Sequence, residues 1–397
     1  MVKGSFIFYK FFPTLILLIC GLVFSACNEL LGEKYYSLQD SESLELRISL
    51  NAVEVHYSRA TNDQDPLYDS YINHVDGDFR VLIYTSDLNL LTVLTNRELQ
   101  FNENNVSDWY TLDYNVGQAS TEIYIVALLN WNSINSDDYY PSFNSSSLSE
   151  FMFPTLKALW TSNREYRLAT SDNARWYPSI VAKKHIPMFG FTKINIEEKV
   201  IVNPEGKRTL HVTVPSMRSL AKISFEVSDE LYAKGFDISD CSISNYNASG
   251  FFIPDMSVSG NSFNENGDLI VTEVSCPIQT RVATALHFTN MGETDGKKKW
   301  VVYLPEMDNS EFTTKSDGRP VLEASLSYDK VTFDQDKTIE LAYYSDDGYL
   351  TDNSPLYNVI RNNYYAYTIV DIDENQNIKL KYTVCPWIDV QTEIEFN

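Results

Sequence analysis

The chain has 397 residues, of which 44% are hydrophobic and 13% aromatic, so it is long enough for two domains and can bury substantial cores. Its formal net charge of −23 at pH 7 argues against a nucleic-acid partner, because a phosphate backbone requires a basic surface. An acidic surface is typical of a protein that is kept soluble outside the cell.

The first 26 residues predict a secretory signal peptide. Two lysines precede an apolar run from Phe11 to Phe24, and the small residues Ser25 and Ala26 follow it. Cys27 then stands where a bacterial lipoprotein signal has the cysteine that becomes the lipidated first residue of the mature chain. An ordinary signal peptide cleaved nearby is the alternative. A lipid on Cys27 would anchor the chain to a membrane surface without spanning it.

A strand with one buried face is predicted to follow a polar tether. From 44 to 50 apolar residues alternate with polar ones, and the apolar pattern continues to residue 57. Its parity shifts near Asn51 and Ala52, which predicts a bulge. The strand ends at 58–60 (SRA), and the polar segment 61–70 predicts an exposed loop.

The middle of the chain predicts strands separated by turns rich in Gly, Pro, Asn and Asp, which is typical of an all-β sandwich. A short helix is expected within 147–160, limited by Pro154, and a hairpin within 200–214, with its tip at 204–206. We place a domain boundary near Pro215. Further strands are predicted over 79–84, 121–129, 186–191, 220–227, 238–245, 269–274, 283–288, 300–304, 321–328 and 337–344.

The last twenty residues, 378–397, contain a strand with a pronounced apolar face. Opposite that face stand Asp389, Gln391, Glu393 and Glu395. Burying an Ile, Val or Phe side chain is worth roughly 1.5–3 kcal/mol, so this strand must lie in a groove of its own domain or of a neighbour. The short interval between Tyr367 and Trp387 leaves open a hairpin of 364–372 with 378–384, which would leave only Trp387 onward for a neighbour. The apolar face consists of Ile388, Val390, Thr392, Ile394 and Phe396.

The sequence contains no nucleophile-elbow, zinc-protease or P-loop motif, and its five histidines are scattered without ligand spacing. We therefore expect no enzymatic activity, no cofactor and no metal site. The segment 371–375 mimics the start of a calcium loop, but Gln376 and Tyr382 stand where that loop needs Gly and Glu. It predicts a hairpin turn instead. Cys241 and Cys276 could pair in an exported protein, although spacing alone does not decide this.

Taken in order, these segments resemble the fimbrillins, the lipoprotein pilins of Bacteroidales. Each segment is a weak signal alone, and their shared order carries the resemblance. It rests on the signal ending at Cys27, the strand ending at 58–60, a strand at 79–84, and the segments 123–130 (IYIVALLN), 217–223 (MRSLAKI), 354–355 (SP), 361–365 (RNNYY) and 384–387 (VCPW).

The resemblance implies two tandem transthyretin-like β-sandwich domains after a lipoprotein signal peptide. The tether and a removable first strand would occupy 27–59, the N-terminal domain 60–215 and the C-terminal domain 216–397. It further implies transport to the outer membrane and cleavage between Arg59 and Ala60 by an arginine-specific protease. The groove left by the lost strand would be filled by the C-terminal strand of a neighbouring subunit, from Trp387 onward. Head-to-tail repetition would build an adhesive fimbrium.

Two alternatives stay open at this point. A fimbrial anchor of the same family would keep its lipid and its first strand, with Arg59 uncut and the C-terminal strand folded into its own domain. A surface glycan-binding lipoprotein would use exposed residues among its 26 Tyr and 6 Trp, although core and edge packing is the commoner use of aromatic residues in a β-protein.

Overall fold

The computed structural model describes residues 43–52, 69, 71–74, 78–113, 122–130, 153–162, 165–167, 177–178, 185–275, 281–294, 296–312, 319–329, 331–332, 337–342, 356–373 and 377–386. These residues are mainly β-strands with a few short helices, which confirms the predicted all-β class. No helix among them is long and apolar enough to cross a membrane.

The N-terminal strands build one mixed sheet. In chain order they are β1 (Ser43–Ala52), β2 (Phe79–Thr85), β3 (Leu90–Leu94), β4 (Tyr110–Asp113), β5 (Glu122–Leu129), β6 (Glu165–Arg167), β7 (Met188–Asn195), β8 (Ile201–Val202) and β9 (Arg208–Arg218). The sheet runs β3-β2-β5-β7-β9-β1-β4, with β8 also paired to β9. Strand β6 is not part of it. The pairing of β1 with β9 is parallel.

The later strands build two further five-stranded sheets and contribute to smaller pairs. They are β10 (Ala221–Val227), β11 (Phe236–Ser244), β12 (Tyr246–Asn247), β13 (Ser249–Phe251), β14 (Asn261–Phe263), β15 (Leu269–Val271), β16 (Arg281–Val282), β17 (Leu286–His287), β18 (Thr289–Thr294), β19 (Lys297–Leu304), β20 (Val321–Tyr328), β21 (Val331–Thr332), β22 (Lys337–Ile339), β23 (Asn363–Ile372) and β24 (Ile378–Pro386). One sheet runs β18-β19-β10-β23-β24 and the other β17-β11-β20-β21, with β22 on β20. The two-stranded pairs are β12-β16, β13-β6 and β14-β15.

The two five-stranded sheets pack on each other as layers. Buried side chains of β10, such as Phe225, belong to the same hydrophobic core as Ile243 of β11 and Leu326 of β20. The indole N–H of Trp300 on β19 donates to the carbonyl oxygen of Ile238 on β11, at 3.1 Å. This packing satisfies a buried polar group within an otherwise apolar core.

The helices are short, as the sparse helical periodicity predicts. Helix α1 (Leu156–Ser162) begins two residues after Pro154, because proline is compatible with a helix start but not with its interior. Of the predicted helix within 147–160, the described part begins at Leu156, and residues 147–152 lie outside the described residues. Further helices among the described residues are α2 (Ile196–Lys199), capped by Asn195, and α3 (Asp229–Ala233), capped by Ser228.

Two local predictions have clear outcomes. The hairpin expected within 200–214 is present as β8 and β9, and Gly206 at its tip has the positive φ of +81° that favours glycine. The bulge expected near Asn51 and Ala52 is wrong, since the ladder between β1 and β9 continues without a shift as far as Ala52. The parity change in the sequence there does not interrupt the pairing.

The predicted domain boundary falls inside a strand. Strand β9 continues through Pro215 to Arg218, and β10 begins at Ala221. The strands of the large mixed sheet all precede Leu220, whereas those of the two five-stranded sheets all follow it. The described residues within Ser43–Leu112 and Ala119–Asn397 form one compact unit. The two-domain division stays a prediction.

Candidate strand-exchange sites

Strand β1 contributes a continuous apolar row to the core. Leu44, Leu46, Ile48 and Leu50 are each 3% exposed or less, as their alternation predicts. Burial of four such side chains is worth on the order of 6–12 kcal/mol gross. The strand is therefore an integral part of the sheet.

Both edges of β1 are occupied by hydrogen-bonded backbone. Its parallel ladder with β9 runs from Leu44 to Ala52, and on its other side lies β4. On the same side, in the segment that precedes β4, the Leu50 N–H donates to the carbonyl oxygen of Asn105 at 3.0 Å, and the Ser107 N–H donates to the carbonyl oxygen of Ile48 at 2.8 Å. Removal of β1 would leave unpaired backbone groups on both of its neighbours.

The opposite face of β1 is polar, and two of its residues contact side chains at either end of the face. The Glu45 carboxylate accepts a hydrogen bond from the Thr111 hydroxyl at 2.8 Å and lies 3.3 Å from the Lys207 Nζ. Four residues further on, the Ser49 hydroxyl lies 2.8 Å from Nε2 of His211.

Between them, Arg47 completes the polar face of β1. Its Nε donates to the carbonyl oxygen of Ser107 at 3.0 Å. Its guanidinium carbon lies 5.5 Å from the ring centroid of Trp109, a geometry that favours a cation–π interaction. Ser107 is fully buried, whereas Trp109 is 46% exposed.

The predicted C-terminal hairpin is confirmed. Strands β23 and β24 pair antiparallel, from Asn363 opposite Pro386 to Ile372 opposite Ile378. Strand β24 ends the sheet path, and Leu380 is its one buried residue among those whose side chains are described. The chain up to Pro386 thus pairs within its own sheet.

The turn of this hairpin lies between Asp373 and Asn377, at the segment for which the sequence predicts a turn rather than a calcium loop. The Asn377 side chain donates to a carboxylate oxygen of Asp373 at 3.0 Å, and the two backbones are hydrogen-bonded at 2.9 Å. Among the described residues, no group of three or more His, Cys, Asp and Glu side chains is placed to hold a metal ion.

Most of the predicted site residues lie outside the described residues, and their roles stay predictions. These are the lipidation site, the cleavage site, the second cysteine and the terminal strand: Cys27, Arg59, Ala60, Cys276, Trp387, Ile388, Val390, Thr392, Ile394 and Phe396. Cys241 is buried and free, and burial raises the pKa of its thiol. A disulfide with Cys276 stays a prediction.

One residue of the segment 61–70 contradicts the prediction of an exposed loop. Asp69 is only 2% exposed. Its carboxylate lies 2.6 Å from the Lys222 Nζ of β10 and accepts a hydrogen bond from the Tyr303 hydroxyl of β19 at 2.7 Å. Its backbone carbonyl accepts from Nε of Arg218 at 2.8 Å. A lysine inside an apolar strand was the sequence signal for a buried acidic partner.

The described histidines occupy separate environments. His185 is 3% exposed and lies against the Tyr71 ring, and burial lowers its pKa to about 4. Nδ1 of His287 lies 3.0 Å from the Asp240 carboxylate. Packing thus explains His185, and pairing with a carboxylate explains His287.

No family model and no curated protein matches the chain. Solved structures that it resembles are fimbrial and cell-adhesion proteins of Bacteroidales. The tip fimbrial protein Mfa3 of Porphyromonas gingivalis, in a C-terminally truncated form, is 13% identical, with 87% of this chain and 100% of that chain covered and a TM-score of 0.46.

Two more solved structures are also similar to this chain. A putative cell adhesion protein of Bacteroides eggerthii is 14% identical, with 88% of this chain and 98% of that chain covered and a TM-score of 0.42. The fimbrial anchor protein Mfa2 of Porphyromonas gingivalis is 9% identical, with coverages of 87% and 99% and a TM-score of 0.31. These likenesses are distant and concern the fold.

Proposed function

We propose that this chain is a structural, non-enzymatic subunit of a cell-surface fimbrium that polymerises by strand exchange. It is exported as an outer-membrane lipoprotein through Cys27, loses β1 by cleavage after Arg59, and accepts the C-terminal strand of a neighbouring copy. The observation that carries this proposal is the position of β1, which lies inside its sheet although it is the first strand described in the chain.

Loss of β1 would create a groove suited to another strand. The core would lose the contacts of its four buried side chains, and β9 would expose the backbone edge that β1 now covers. An apolar groove with unpaired edges binds an extended segment by β-augmentation, in which backbone hydrogen bonds supply affinity and side-chain pockets supply specificity.

The terminal strand matches this groove in length and pattern. The paired part of β1 spans nine residues, 44–52, and the alternating segment 388–396 also spans nine. Both present apolar residues at every second position. A strand that leaves one subunit and enters the next makes a head-to-tail contact that does not close, which produces a fibre.

The network around Asp69 supports cleavage without unfolding. Asp69 lies ten residues after Arg59 in the sequence, and Lys222, Tyr303 and Arg218 hold it at 2.6–2.8 Å. A chain that began at Ala60 would keep this attachment. The processed subunit therefore retains its link to β9, β10 and β19.

The decisive experiment is N-terminal sequencing and intact-mass measurement of the protein from outer membranes and from sheared surface material. We expect chains that begin at Ala60 in high-mass, detergent-resistant polymers. Chains that begin at lipidated Cys27 and stay monomeric in the membrane would overturn the polymerising subunit.

A fimbrial anchor is the second candidate, and the C-terminal hairpin favours it. Strand β24 pairs with β23 within its own sheet as far as Pro386, as the C-terminal chain of an anchor would. An anchor would retain its lipid and β1, and would terminate a filament at the membrane. The same sequencing experiment identifies it, since its chain would begin at Cys27 while it co-purifies with fimbrial material.

A further inference from the structure

If β1 departs, the groups that its polar face now contacts lose their hydrogen-bond and ion-pair partners. At position 45 the remaining partners are Lys207 and Thr111. At position 47 the partner is the carbonyl oxygen of Ser107, and at position 49 it is His211. An incoming strand must satisfy these groups in the same order.

Position 47 is the most demanding of the three. Ser107 is fully buried, and a buried acceptor that loses its partner is destabilising. Its carbonyl oxygen needs a hydrogen-bond donor, which Arg47 supplies through its Nε. A carboxylate at this position would set two acceptors against each other. The Lys207 ammonium, which lies beside position 45, has the opposite requirement and favours a carboxylate there.

The outward face of the terminal strand carries one side chain with N–H donors. Along 389–395 its outward residues are Asp389, Gln391, Glu393 and Glu395, and the glutamine amide alone among them can donate when the carboxylates are ionised. Asp389 and Glu393 flank it at equal spacing. When Gln391 is placed at position 47, carboxylates fall at 45 and 49 in either strand direction.

We propose that Gln391 of the incoming neighbour replaces Arg47 on Ser107 and so sets the register of strand exchange. This inference rests on the proposed function and adds the side chains that select the partner. A slip of two residues would bring Asp389 or Glu393 against the Ser107 carbonyl oxygen. A slip of one residue would turn the apolar face outward.

Glu395 provides an internal control for this register. With Gln391 at position 47, Glu395 takes position 51 in a parallel strand or position 43 in an antiparallel one. Ser43 and Asn51 are both exposed in β1. The charge of Glu395 should therefore be irrelevant to assembly.

Zero-length carbodiimide cross-linking of assembled wild-type polymers, followed by peptide mass spectrometry, tests the register directly. We expect an intermolecular link from Lys207 to Asp389 if the incoming strand is parallel to β9, or to Glu393 if it is antiparallel. A link from Lys207 to Glu395 would overturn the register.

A second measurement compares the yield of detergent-resistant polymer from full-length variants. Gln391→Glu should reduce the yield about tenfold, whereas Gln391→Arg, which restores the donor of Arg47, should stay within about threefold of wild type, as should Glu395→Gln. Equal assembly of Gln391→Glu and wild type would contradict the inference while leaving strand exchange intact. Absence of polymer from the wild-type protein would instead contradict the proposed function and the register with it.

Discussion

Strands β1 and β24 lie at opposite ends of the described chain and are held very differently. Strand β1 is enclosed between β9 and β4 and buries four aliphatic side chains. Strand β24 ends its sheet path beside β23, and its Val384 is 43% exposed. The proposed leaving strand is thus more deeply embedded than the strand that leads into the proposed donor.

This contrast explains why exchange would need proteolysis. While β1 remains covalently attached, its effective concentration at its own groove far exceeds that of a neighbour's strand. Cleavage after Arg59 would remove that advantage, and the incoming strand could then compete through its own alternating apolar face. Strand β24 ends its sheet path and leads directly into the proposed donor segment.

Deletion of 387–397 should have the largest effect of the changes proposed here, and that effect is on polymer formation. We expect loss of detergent-resistant polymer, because no apolar segment would remain to fill the β1 groove. Export and the unfolding temperature should be unchanged, since β24 retains its pairing with β23. Electrophoresis without boiling and thermal unfolding check the two parts. Polymers from the truncated chain would show that another surface joins the subunits.

Asp69→Ala should strongly destabilise the link between the segment after β1 and the second sheet. It would leave the Lys222 ammonium buried and without its carboxylate, a change that typically costs about 3–5 kcal/mol. Urea unfolding of the full-length protein measures it. The double variant Asp69→Ala/Lys222→Met is the control, and it should recover part of the loss because the uncompensated charge is removed.

Ile48→Ala compares the two strands directly. The Ile48 side chain is fully buried in β1, so its truncation should lower the free energy of unfolding by about 2–4 kcal/mol. Val384→Ala on β24 should change it by less than about 0.5 kcal/mol, because Val384 is 43% exposed. Equal effects in urea unfolding would mean that β1 is no more integral to the fold than β24.

The sequence predicts those strands and turns that depend on a local pattern of apolar and polar residues. Alternation identifies β1, near-continuous apolar runs identify β2 and β5, and the turn predicted at 371–375 identifies the hairpin of β23 and β24. The parallel pairing of β1 with β9 could not be predicted, since Leu44 and its partner Arg208 are far apart in the chain. Long-range pairing leaves no local periodicity from which to infer it.

Buried polar pairs were missed for the same reason. Asp69 stands in a polar segment that satisfies every local criterion for an exposed loop, yet its partner Lys222 is 153 residues away. Likewise, the contacts of the polar face of β1 form only when the fold brings Ser107, Lys207 and His211 beside it. Such sites depend on the tertiary fold rather than on any single segment.

As the pH decreases, the sheet that contains β1 should lose stability at a higher pH than the C-terminal hairpin does. His185 precedes β7 in the first sheet, and burial lowers its pKa from 6.5 to about 4. Between these values the unfolded chain binds a proton that the folded chain does not, so stability falls as the pH decreases from 6.5 towards 4, by roughly 2–3 kcal/mol from this group.

The hairpin responds in a lower pH range. The hydrogen bond from Lys379 lowers the pKa of Asp371 below 3.8, so its contribution is present above that value and is lost only as the pH falls below it. His185→Phe should therefore flatten the decline in unfolding free energy between pH 6.5 and 4, whereas Asp371→Asn should leave that decline unchanged. Urea unfolding at half-unit pH intervals distinguishes them, and an unaltered slope in His185→Phe would show that His185 does not link acid to the first sheet.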